Sequence, residues 1–66
     1  MLGKNIKRIR QKRNLTQDKL ARLADIPYTT ITKIETGVIK QPSVLAVAKI
    51  AKALGVSLDE LVEDRK

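Results

Sequence analysis

The chain predicts an all-α domain built as five short helices and nothing else. Three observations predict it. Apolar residues recur at three- and four-residue spacing from Leu2 to Val62, the period of a helix face. The apolar stretches are punctuated by helix caps at Thr16, Ser43 and Ser57, and by residues that tolerate positive φ at Asn14, Asp25, Gly37 and Gly55. And 66 residues make one small domain, near the lower limit for folding without staples.

The first helix runs from about Gly3 to Lys12, with Leu2, Ile6 and Ile9 on one side. Arg10 follows Ile6 at i+4 and lies at the edge of the buried face. Asn14 ends the helix and Leu15 re-enters the core. Thr16 caps the second helix, and Asp18 sits in its first turn, where negative charge suits the helix dipole. Its inner stripe is Leu20, Leu23 and Ala24, with Ala21 beside them to let a neighbour approach closely. Asp25 takes the bend, and Pro27 starts the third helix with its φ preset.

In the third helix propensity and period disagree. Tyr28, Thr29, Thr30, Ile31 and Thr32 favour strands. Yet the apolar positions are 28, 31 and 34, which a helix places together and a strand does not. Period decides for a helix whose shape is imposed by packing. Ile31 and Ile34 point inward; Tyr28, Thr29, Thr32 and Lys33 point outward or to the rim. Gly37 ends it, residues 38–42 form a loop, and Ser43 caps a fourth helix over 44–54. Its stripe is Val44, Val47, Ile50, Ala51 and Leu54, closed by Gly55. Ser57 and Glu60 form a capping box that opens a fifth helix with Leu58, Leu61 and Val62. Glu63 to Lys66 are expected to fray.

Composition removes most chemistries. The chain has no cysteine and no histidine, so the usual metal ligands and the usual neutral-pH base are missing. Ser43 and Ser57 are caps with no base to activate them, so no catalytic constellation is expected, and no cofactor. Asp59 with Glu63, and Glu60 with Asp64, share helix edges, but a solvated helix end explains them. No run is long enough to cross a bilayer, and the start lacks a signal peptide's apolar core. The expectation is a soluble, cytoplasmic protein acting on the nucleoid.

The net charge is +7, and residues 1–40 carry all of the excess: ten Lys or Arg against three acids. Residues 41–66 hold four of each sign. The basic half contains the two helices spanning Thr16 to Glu35, which read as a helix-turn-helix with its second helix facing DNA. A basic face kept for solubility is the plainer account of the charge alone. Arg10 and Glu35 both lie beside the apolar seam, where a lone charge is costly, so they are expected to pair and tie the third helix to the first.

Three blocks, IKRIRQKRNLTQDKLA, ITKIETG followed by Pro42–Ser43, and KIAKALGVSLDEL, resemble the lambda-repressor-like helix-turn-helix family, also called the XRE or Cro/repressor family. The resemblance covers nearly the whole chain as a single domain. It implies a five-helix bundle that binds double-stranded DNA as a homodimer, with the third helix in the major groove of a two-fold symmetric operator. Carried over by position, it makes Tyr28, Thr29, Thr32 and Lys33 base contacts, with Gln17, Thr36, Lys40 and Ser43 on phosphates. The alternative for Tyr28 is a ring that covers the core edge, and for Gln17, Thr36 and Lys40 ordinary solvated surface. Some relatives share the Arg10–Glu35 pair. Two departures stand out: Asp25 replaces the usual turn glycine, and Pro27 replaces a polar cap that in relatives can touch phosphate.

The apolar surfaces left for a dimer are the fifth helix, with Leu58 and Leu61, and the loop around Pro42. A transcriptional regulator of repressor or controller type, with RNA polymerase as the affected machinery, is the first expectation. The alternative is an antitoxin whose main partner is a toxin. The chain stops almost at the end of its fifth helix, without the tail that alternative favours.

Overall fold

The computed structural model describes residues 2–62. They form α1 (Leu2–Lys12), α2 (Gln17–Ala24), α3 (Tyr28–Thr36), α4 (Val44–Leu54) and α5 (Leu58–Val62), with no strand among the described residues. The fraying expected at residues 63–66, and the acidic pairs reaching Glu63 and Asp64, lie outside them. No helix among the described residues is long and apolar enough to cross a membrane.

Every helix contributes to one core. Ile6 of α1, Leu20 of α2, Ile31 and Ile34 of α3, Ile50 and Leu54 of α4, and Leu61 of α5 are all fully buried. Each such side chain contributes about 1.5–3 kcal/mol by leaving water, so the core, and no single helix, holds the fold. This is why α3 is helical despite its threonines. Its two inward isoleucines, 0% and 2% exposed, outweigh a propensity cost of a few tenths of a kcal/mol, roughly, per residue.

Three of the four connections share one three-residue design. Asn14–Leu15–Thr16, Asp25–Ile26–Pro27 and Gly55–Val56–Ser57 each place a residue with φ of 57°, 57° or 72° first. An apolar residue follows, its N–H bonded back to a carbonyl five residues earlier at 3.0 Å: Leu15 to Arg10, Ile26 to Ala21, Val56 to Ala51. That apolar residue is turned toward the core, and the third residue caps the next helix. The fourth connection, Gly37 to Ser43, is longer and carries Lys40 at an exposed position.

Four expectations need correction. Leu23 is 56% exposed, because it lies roughly 100° around the helix from Ala24, whose side faces the core. Val44 is 78% exposed: at the first position of α4 it is rotated about 120° from Ile50, off the buried stripe. Pro27 is the N-cap of α3, with ψ 141°, so the helix proper starts at Tyr28. Leu61 is fully buried within the chain, so no dimer partner can reach its side chain; Leu58 and Val62 are the exposed apolar residues of α5.

Gly3 and Asn5 carry weight that their residue types alone did not announce. A side chain on Gly3 would run into the Ile34 carbonyl oxygen, and would sit 3.0 Å from that of Glu35. Glycine there is what lets α1 lie against the end of α3. Asn5 is buried and donates from Nδ2 to the Leu61 carbonyl at 2.7 Å, fastening α5 to α1. The available signal was position: both sit among the apolar residues of the α1 inner side.

Candidate nucleic-acid interface

The α2–α3 pair is fixed from beneath by a bidentate ion pair. Arg10 reaches Glu35 through Nε to Oε2 at 2.7 Å and Nη2 to Oε1 at 3.1 Å. Its third group, Nη1, donates to the Leu15 carbonyl at 2.7 Å. The two side chains are only 10% and 2% exposed, so the expected pairing is present and is desolvated. One guanidinium thus ties α3 to α1 and to the joint that leads into α2.

Above this pair sits Gln17. Its Nε2 donates to Glu35 Oε1 at 3.0 Å, and its Oε1 accepts from the Tyr28 hydroxyl at 3.4 Å. Gln17, expected as a phosphate contact or as solvated surface, joins the start of α2 to α3 through these two bonds. Tyr28 is 49% exposed, and its hydroxyl turns toward Gln17.

The outward side of α3 carries no acid. Thr29 and Lys33 are exposed, and Thr32 is half-buried beside them. The Thr32 hydroxyl donates to the Thr29 carbonyl at 2.8 Å, and that of Thr36 to the Thr32 carbonyl at 2.9 Å. Both hydroxyls therefore spend their proton on the helix's own backbone and keep only lone pairs for a further partner. For Thr36 this weakens the phosphate role, since a phosphate oxygen needs a donor. The side-chain ammonium groups of Lys33 and Lys40 have no hydrogen-bond or ion-pair partner among the described residues.

Two helix starts hold donors in reserve. In α2, Thr16 accepts from the N–H of Lys19 and of Leu20, so those of Gln17 and Asp18 are not used within the helix. In α4, Ser43 caps Ala46 and accepts from Val47 through its carbonyl, leaving the N–H groups of Val44 and Leu45. Such ends favour an anion. Not all of the basic excess belongs here: Arg8, Lys12 and Arg13 line a concavity with Val56 and Glu60, beside the α4–α5 joint.

Comparison with known proteins agrees with this fold. A helix-turn-helix family model matches residues 6–61. An uncharacterized HTH-type transcriptional regulator of Sinorhizobium fredii is 32% identical over 62 residues, covering 94% of this chain and 79% of that protein. Among solved structures, the master regulator for biofilm formation SinR, crystallised in complex with DNA, superposes with a TM-score of 0.92. The match is 27% identical and covers 96% of this chain and all of that one.

Proposed function

The chain belongs to the helix-turn-helix family of transcriptional regulators, and from that premise we propose that it binds a two-fold symmetric operator as a homodimer. The observation that carries this reading is the outward side of α3: polar, free of acid, cationic at Lys33, and held rigid from below by Ile31, Ile34 and the Arg10–Glu35 pair. A face so fixed needs no reorganisation when it enters a major groove. Lys33 is placed to donate to guanine O6 or N7, and Thr29 and Thr32 carry methyls that can meet thymine methyls. The unused N–H groups at the starts of α2 and α4, with Lys40 between α3 and α4, are suited to phosphates and set the register of the helix in the groove.

One such helix touches too few base pairs for useful specificity, and two are needed about 34 Å apart. Leu58 and Val62 give α5 an apolar exterior suited to pairing two copies. Seated at a promoter, the dimer acts on transcription by occluding or contacting RNA polymerase.

Selection from a random DNA pool tests the reading. The wild-type chain should enrich a two-fold symmetric motif with half-sites about 34 Å apart. Lys40→Ala should weaken binding to all sequences alike and lower the salt slope by about 1, whereas Lys33→Ala should change the preferred base. Enrichment of no motif, or of an asymmetric one, counts against it.

A further inference from the structure

The hydrogen-bond chain from Arg10 to Tyr28 has a direction, because its members differ in what they can donate. Arg10 only donates, and the Glu35 carboxylate only accepts. Glu35 takes two bonds from Arg10 and one from Gln17, at 2.7, 3.1 and 3.0 Å. The Gln17 amide must therefore show its nitrogen to Glu35; turned over, it would set oxygen against carboxylate. That fixes Gln17 Oε1 toward Tyr28, where it too can only accept. The Tyr28 hydroxyl has a single proton, and it goes to Gln17. What Tyr28 turns outward is then a pair of lone pairs.

We infer that Tyr28 is a specificity-determining residue that accepts a hydrogen bond from an exocyclic amine in the major groove, and so selects adenine or cytosine against guanine and thymine. This rests on the reading that α3 enters the major groove. There, adenine N6 and cytosine N4 are the donors, whereas guanine offers O6 and N7 and thymine O4, all acceptors. If Tyr28 swung its proton to a guanine or thymine oxygen, Gln17 Oε1 would face lone pairs in a surface just stripped of water, with its own bond lost. Thr32 adds a second outward acceptor of the same kind, its proton spent on the Thr29 carbonyl. Gln17 is the positioning residue, and the buried ion pair is the origin of the polarity.

The test is base preference, selected from a random pool by the intact chain. Wild type should favour adenine or cytosine, by about tenfold, at one position of the half-site. Tyr28→Phe keeps the ring and should erase preference at that position while the rest of the motif persists. Gln17→Lys puts a donor-only group against both Glu35 and Tyr28, which frees the tyrosine proton to point outward. It should turn the preference at the same position to guanine or thymine. The inference fails alone if a symmetric motif appears but Tyr28→Phe leaves it untouched. It also fails alone if the affected base is guanine or thymine in wild type, or if Gln17→Lys keeps the original preference. It fails together with the major-groove reading if wild type enriches no motif.

Discussion

The α2–α3 and α4–α5 corners are the same construction used for different ends. Leu20, Ala21, Ala24, Ile26 and Ile31 of the first stand at the places of Ile50, Ala51, Leu54, Val56 and Leu61 in the second, residue for residue, 30 positions on. Both corners turn on a left-handed residue, Asp25 in one and Gly55 in the other, and both return an N–H to a carbonyl five residues back at 3.0 Å. The buried sides match while the exposed sides do not. The first corner shows Tyr28, Thr29 and Lys33; the second shows Leu58, Asp59, Glu60 and Val62. Packing chemistry makes a helix corner, and the surface residues alone decide whether that corner suits a polyanion or an apolar partner.

The two corners are also fastened to α1 differently, by a charged pair in one case and a neutral bond in the other. Breaking the charged fastening has the largest expected effect. Arg10→Met strands the Glu35 carboxylate, 2% exposed, and should cost about 3–5 kcal/mol, much of what a domain of this size has. Arg22→Ala is the control, since its pair with Asp18 is 81% and 59% exposed and should change stability by less than about 1 kcal/mol. Equal melting temperatures for Arg10→Met and wild type would show that the clasp holds nothing. Next comes Asn5→Ala, which removes the buried bond to the Leu61 carbonyl and should cost about 1–3 kcal/mol in urea melts. If α5 is fastened this way, its amides near Leu61 should gain the most in hydrogen exchange. The smallest effect sharpens the corner itself. Asp25→Gly relieves a positive φ and should raise stability by no more than about 1 kcal/mol, while Gly55→Asp should lower it by a similar amount. Opposite signs are the point; two losses would mean that the Asp25 side chain does more than occupy the turn.

Much of this was legible in the residues. Helix ends follow from local rules, so Thr16, Asp25, Gly37, Ser43, Gly55 and the Ser57–Glu60 box all do what their residue types predict. The Arg10–Glu35 pair was also readable, since two charges beside an apolar seam have few places to go. The errors fell where helical spacing leaves a choice of flank. Leu23 and Val44 are apolar and lie near the right side of their helices, but only neighbouring helices decide which edge is covered. Leu61 and Leu58 look alike in the sequence; the direction in which α5 returns buries one and exposes the other.

Five helices, their caps, the basic half and the outward residues of α3 all follow from local pattern, because period, capping and charge act over a few neighbouring residues. Tertiary structure decided what those residues are bonded to. Gly3 matters only because α3 presses on it, Asn5 only because the Leu61 carbonyl lies within its reach, and Gln17 only because Glu35 and Tyr28 converge on one amide. Unlike two charges beside an apolar seam, these contacts between positions eleven to 56 apart have no local signature. They exist only once the core has brought the helices together.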